Sequence, residues 1–378
     1  MSDIQDMTSS VHIARWSDCS VAWLESHLAS TGLLKSLRQA ARVVIKVNLS
    51  AGHSCTPESG VVTNRAVLRR LLETLLHVNP SVQIYVAESD SIGRSLATEK
   101  FRFQGYASLF ADLSAVHLVD LSHSPVQVYP CAGRFFKDGV VLASTFAEAD
   151  FFISLAKMKT HSVAVMTGCL KNQFGCLPDM HKDRYHPYLP AVIADVNSAV
   201  RPDLCILEAC PAMEGNGPVL GDPRDLGIIL LGVDPLAIDA TAARIMGMQP
   251  ERILLFVEAE QAAVGTWRPE QIRVTGLTCA EIGGRFKFIS REQRLYVIGE
   301  SCKGRTISGR PQAPLDAKIV RSLSGLSIRF GLAIQWAADR LNGLGHRLHL
   351  VQGTGWAIGR IVSKAKKGLT RGASHGAA

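Results

Sequence analysis

An α/β fold on a mostly parallel open sheet is predicted by three observations: short β-branched apolar runs, stretches of helical spacing between them, and charged residues crowded where the runs stop. Residues 43–48 form the first such strand. Helical spacing follows over 65–76, with Thr63 and Asn64 before it as N-cap candidates. A strand at 82–87 stops at Glu88, Asp90 and Arg94, and another helical stretch leads to a strand at 116–121. This βαβαβ order predicts parallel strands joined by right-handed crossovers. A less regular insert at 122–148 holds strands at 126–129 and 140–142. Beyond it come a strand at 150–155, a helix at 189–199, strands at 204–208 and 226–232, a helix at 235–246 and a strand at 272–274. Pro235 directly after Asp234 suits a helix start, because its missing N–H would be unpaired there anyway.

These elements amount to a Rossmann-like sheet with helices on both faces. The expected organisation is a helical lead-in at 1–40, an α/β core at 41–275, a small β or irregular segment at 276–315 and a basic helical tail at 316–378. At 378 residues and 47% hydrophobic, the chain can bury a large core, which excludes a disordered protein. MSDIQDMTSS has no basic n-region and apolar h-region, and no run of about 18 apolar residues occurs. A cytoplasmic location is therefore expected.

The formal charge of +8 is unevenly spread. Residues 301–378 hold thirteen Lys or Arg against Asp316 and Asp339, so residues 1–300 are net acidic. Over 355–367, Trp356, Ile358, Ile361, Val362 and Ala365 fall toward one side of a helix, with Arg360, Lys364 and Lys367 largely on another. Such a segment, taken as 350–371, suits peripheral contact with an anionic membrane surface or a protein partner, or packing on the protein's own core with a basic rim. Nucleic acid is disfavoured, since the tail has few aromatics for base stacking. Nine cysteines are irregularly spaced, with no C-x-x-C pair, so no iron–sulfur cluster is expected, and the cofactor stays open.

The densest chemistry lies at 151–176, where FFISLA gives way to Lys157, Lys159 and His161, and then to Lys171 and Asn172. Strands of open α/β sheets deliver polar groups to ligands at their carboxyl ends, so this cluster points to a small anionic ligand. A solvated basic loop is the alternative. Against it, Lys171 and Asn172 sit between apolar Val165, Met166 and Phe174, with glycines at 168 and 175. Lys46 and Asn48 end the first strand and Glu88 the second, while Glu214 and Asn216 lie between glycines beyond the strand at 204. The glycine- and hydroxyl-rich loop 50–60 could approach a ligand closely.

Clustered lysines depress one another's pKa toward the range of a base or an imine-forming nucleophile. Lys159, His161, Lys171 and Glu214 are therefore catalytic candidates, and Lys46, Asn48, Glu88, Lys157, Asn172 and Asn216 substrate-binding ones. His161 could exchange protons near neutral pH, with Glu214 as the opposite member of an acid/base pair. Asp179, His181, Asp183 and His186 form a further cluster whose spacing fits no helix-face zinc motif, leaving His181 and His186 as weak metal candidates.

Five blocks carry a family resemblance: Ile45-Lys-Val-Asn48, Leu155-Ala-Lys-Met-Lys-Thr-His161, Leu170-Lys-Asn-Gln-Phe-Gly175, Met213-Glu-Gly-Asn-Gly-Pro218 and Val233-Asp-Pro-Leu-Ala-Ile-Asp-Ala240. In this order, over roughly 40–275, the chain resembles domain of unknown function 362. Some members of that family carry iron–sulfur modules, for which this chain has no cysteine pattern. More remotely, a strand followed by a His and a downstream Lys is similar in site position to the amino-terminal domain of the nickel-pincer lactate racemases, a likeness that transfers no cofactor. Two functions remain: an enzyme using Lys and His for proton or group transfer on a small anion, or a non-catalytic accessory protein carrying a cofactor or metal.

Overall fold

The computed structural model describes residues 8–49, 55–91, 96–282 and 286–288. Along the chain the strands are β1 (Ser9–Arg15), β2 (Arg42–Lys46), β3 (Gln83–Glu88), β4 (Val116–Asp120), β5 (Val126–Tyr129), β6 (Val140–Ala143), β7 (Phe151–His161), β8 (Val165–Thr167), β9 (Leu204–Asn216), β10 (Leu220–Arg224), β11 (Ile228–Gly232) and β12 (Ile272–Gly276). The helices are α1 (Val21–Ser30), α2 (Leu33–Gln39), α3 (Arg65–Val78), α4 (Ala97–Phe103), α5 (Tyr106–Leu109), α6 (Cys169–Asn172), α7 (Leu189–Ala199), α8 (Pro235–Ile245), α9 (Leu254–Gln261) and α10 (Cys279–Ile282).

The main sheet runs β12-β1-β11-β9-β7-β2-β3-β4, with β10 added to β9 and β8 to β7. From β9 to β4 all neighbours are parallel, and β11 lies antiparallel to both β9 and β1. The predicted α/β class, a mostly parallel open sheet with helices, is what the chain adopts. Alternation of side chains supplies both apolar faces. Val43, Ile45, Ile153 and Leu155 pack with Val67, Leu68, Leu71 and Leu72 of α3. Val44, Phe152 and Ala156 pack with Val192 and Ile193 of α7 and with Leu236 and Ile238 of α8.

Helix starts follow the residues that can cap them. Asn64 accepts from Ala66 N and Val67 N at the head of α3, and Asp234 from Leu236 N and Ala237 N at the head of α8. The order of the central strands reverses direction at β2, since β2 leads outward to β3 and β4 while β7 leads the other way to β9. The crevice beyond the carboxyl ends of β2 and β7 is thus a topological switch point, the usual ligand position in such sheets.

Several expectations need correction. The lead-in contains helices α1 and α2 but opens with β1, which pairs with β11 on one side and β12 on the other. The strand expected to end at 155 runs on through Lys157 and Lys159 to His161, every residue buried. The insert's two strands pair only with each other among the described residues. Loop residues 50–54, Arg94, most of the segment 276–315, and the basic tail with its amphipathic stretch lie outside the described residues.

Candidate anion site at the β2–β7 switch point

Lys157 and Lys159 share a face of β7, but their surroundings differ. Lys157 Nζ is 2.7 Å from Glu208 Oε1, with both side chains fully buried. Glu208 also accepts from Asn64 N at 2.9 Å and Cys210 N at 2.9 Å. This pair ties β7 to β9 and to the cap of α3, which makes Lys157 structural rather than substrate-facing. Lys159 Nζ donates to Val61 O at 2.7 Å and Asn48 Oδ1 at 3.1 Å. Burial, reinforced by Lys157 and Lys171, brings its amine down to about 7.

Asn48 joins the two sides of the sheet edge. Its amide approaches Asn172 Oδ1 at 3.5 Å, and Asn172 Nδ2 donates to Lys46 O at 3.0 Å and Ser154 Oγ at 3.1 Å. Asn172 thereby holds the last turn of α6 against β2 and β7. The first turn is held by Asp239 of α8, whose carboxylate accepts from Cys169 N at 2.6 Å and Leu170 N at 2.9 Å. Gly168 is required beside this cap, because a Cβ there would collide with the Asp239 carboxylate.

Between these two anchors stands Lys171. Its ammonium lies 4.3 Å from the centre of the Phe174 ring and has no hydrogen-bond or ion-pair partner among the described residues. Burial, then the nearby Lys46, lowers it to about 8 although Glu88 acts the other way.

His161 is fixed by the hairpin that follows it. Its Nδ1 accepts from Val163 N at 3.0 Å and Ala164 N at 3.1 Å, so the ring proton belongs on Nε2. Burial, Lys171, His186 and Lys159 hold its pKa well below the usual imidazole range. This corrects the expected proton exchange near neutrality: His161 is a neutral Nε2–H donor. The hairpin holds Val165 at φ 69, a left-handed conformation that costs a β-branched residue steric strain.

Lys46 Nζ meets Glu88 Oε1 at 2.8 Å, and Glu88 also accepts from Leu49 N and Ser89 N. Burial would raise this carboxyl, but Lys46 and Lys100 outweigh it and hold it below its usual value. A Cβ on Gly175 would sit 2.7 Å from Lys46 Nζ, so a larger residue there would have to displace the end of the Lys46 side chain.

Two lysines absent from the sequence-based candidates complete the set. Lys100 donates to Ser89 O and Ser91 Oγ, and Lys182 to Ser89 Oγ and Asp90 O. Burial lowers Lys100 to about 8 and Lys182 to about 7. Their signal in the sequence was faint: Lys100 sits in a helical stretch that reads as solvated, and Lys182 lies within the His/Asp cluster assigned to a loop or metal.

Glu214 is engaged by Arg224 and Lys287 rather than by the lysines of β7 and α6. Arg224 Nη1 is 2.7 Å from its Oε2, and Lys287 N donates to the same oxygen at 3.0 Å. These contacts outweigh burial and keep it below the usual carboxylate range, so it is an ion-pair anchor rather than a proton donor. Asn216 is exposed at the far end of β9. His181 is exposed, whereas His186 stacks on Phe174 at 6.4 Å, on the side of His161. Neither belongs to a group of three possible metal ligands; among the described residues that description fits Asp90, Asp120 and His123, within 4.8 Å of one another.

Residues 43–244, just over half of the chain, match the model of a family described as Domain of unknown function (DUF362). The chain belongs to this family. The DUF362 region contains every lysine of the site and ends within α8, past Asp239. A curated relative, the thylakoid-associated protein sll1697 of Synechocystis, is 34% identical over 119 residues, which are 30% of this chain and 37% of the relative. The lactate racemase apoprotein of Thermoanaerobacterium thermosaccharolyticum aligns in structure at a TM-score of 0.27 with 10% identity, over 55% of this chain and 52% of that one. Among the described residues, no helix is long and apolar enough to cross a membrane.

Replacing Lys157 by Met leaves Glu208 charged and buried, and is expected to cost about 3–5 kcal/mol of stability by urea denaturation. A second expectation concerns pH. Lys100, Lys159, Lys171 and Lys182 release protons at about 7 to 8 when folded, but only near 10.4 when unfolded. The unfolded chain then binds more protons above pH ~7, so stability rises with pH until thiols ionise in the unfolded chain near pH ~8.5. Urea midpoints between those limits should climb, and Lys182→Met should flatten the climb.

Proposed function

We propose that the protein is an enzyme acting on a small anionic substrate by lysine- and histidine-assisted proton transfer or a related group transfer. The observation that carries this reading is the Lys171 amine, which has no hydrogen-bond or ion-pair partner among the described residues, is lowered to about 8, and lies beside a neutral imidazole. An amine in that range is unprotonated often enough to take a proton or attack a carbonyl, and is still charged often enough to attract an anion. His161 Nε2–H can hydrogen-bond a developing negative charge without first losing a proton. The surrounding amines of Lys46, Lys100, Lys159 and Lys182, the last three partly protonated near neutral pH, favour carboxylate- or phosphate-bearing molecules.

The test uses glyoxylate, a small anionic aldehyde, with cyanoborohydride to trap any imine as carboxymethyl-lysine. Lys171 should be modified about tenfold or more faster than exposed Lys35 and Lys137 near pH ~8, because its unprotonated fraction is larger. Lys171→Met should lose the fast modification while staying folded. Equal rates at the three lysines would reject the reading.

One observation favours a second reading, an accessory protein docked to a membrane through residues 350–371: the relative is thylakoid-associated by name. Full-length protein should then pellet with vesicles rich in anionic lipid, and deletion of 350–378 should abolish pelleting. Identical pelleting of the two forms would exclude this docking.

A further inference from the structure

Thr167 closes β8 opposite Lys159 in the antiparallel pair, with Val165 opposite His161. Met158 of β7 and Met166 of β8 both point into the core shared with α7 and α8. Alternation therefore sends Lys159, His161 and Thr167 to the other face of this hairpin, four residues before Lys171. Thr167 is 3% exposed, and its hydroxyl has no hydrogen-bond partner among the described residues. A buried hydroxyl left unpaired destabilises a protein, and one that is kept calls for an explanation such as a catalytic role or a bound group.

Nearby hydroxyls are not in this position. Thr160 Oγ1 donates to Gly215 O at 2.9 Å, and Ser154 Oγ accepts from Asn172. His161 Nε2–H has no partner among the described residues either, since the contacts that fix the ring are both made at Nδ1. Two neutral donors thus lie on one face of the hairpin, and one of them, His161, is near enough to Lys171 to be affected by its charge. A carboxylate or phosphoryl group seated on them would present its neighbouring carbon to the amine.

We propose that the Thr167 hydroxyl is a substrate contact, which together with His161 Nε2–H holds one oxyanion of the substrate beside Lys171. This inference rests on the functional reading above, and it adds that recognition of the anion at this point is made by neutral donors while Lys171 remains available for chemistry. Donors without charge are suited to a group whose own charge must persist or grow during reaction.

Thr167→Val removes the hydroxyl and keeps the shape. It should raise the melting temperature, because the unpaired group is gone, and lower the rate of glyoxylate modification at Lys171 by about tenfold, the effect of one hydrogen bond to a charged group. Modification by acetaldehyde, which has no carboxylate, should be unchanged, and Thr167→Ser should restore the glyoxylate rate. Higher stability combined with weaker selection of the anionic aldehyde is a pattern that a packing role does not produce. Wild-type glyoxylate rates in Thr167→Val, or a lower melting temperature, would overturn the proposal; the latter would mean that an ordered water already satisfies the hydroxyl. Failure of glyoxylate to mark Lys171 in the wild-type protein would overturn the functional reading, and this inference with it.

Discussion

The Glu88 carboxylate is the interaction on which the site depends. It lies 2.8 Å from Lys46, and its charge also supports Lys100, Lys159, Lys171 and Lys182 against the loss of their protons. Lys46 and Lys100 keep it ionised in a place where water cannot, and the backbone N–H groups of Leu49 and Ser89 also donate to it. Glu88 is shared by five amines, with Asp90 acting on two of them, Lys100 and Lys182, so positive charge exceeds negative in the crevice, and such an excess is relieved either by deprotonation or by a bound anion. The Lys157–Glu208 pair is satisfied within itself, although the charge of Lys157 still helps to lower Lys159.

Around that charge the scaffold leaves little freedom. All eleven residues of β7 are buried, and β8 folds back on it through a turn that puts Val165 at φ 69. The short helix α6 cannot fix itself by its own few hydrogen bonds. It is instead held at its start by Asp239 from α8 and at its end by Asn172 against β2 and β7. The second Asp of the Val233–Ala240 block thus has a physical reason to be there, as the cap of a helix about seventy residues upstream.

Much of the fold was legible in the sequence because apolar runs and caps are local signals. Asn64 caps α3, and α7 spans the residues that its spacing indicates. The end of β7 was not legible, since lysines normally mark the point where a strand leaves the core. Here Glu208, Val61 O and Asn48 satisfy them from elements distant in sequence. The same distance hid Lys182, whose partners Ser89 and Asp90 lie about ninety residues upstream, while Lys100 and Thr167 have ordinary local surroundings. Glu214 misled in the opposite sense, because a carboxylate between glycines looks like a functional loop when its partners Arg224 and Lys287 cannot be seen. Strand β1 did carry a signal, the alternation of buried Val11 and Ile13 with more open neighbours, in a segment otherwise dominated by helices.

That first strand has a bearing on where this protein can be cut. It fills the gap between β11 and β12, pairing five residues with each. A fragment trimmed to residues 43–244 would lack β1 and β12, and would present β11 as an open edge with its row of unpaired amides and carbonyls. The unit that family membership marks out is therefore smaller than the unit that closes its own sheet. Expression of the fragment alone would invite the strand-to-strand aggregation that the amino-terminal residues prevent.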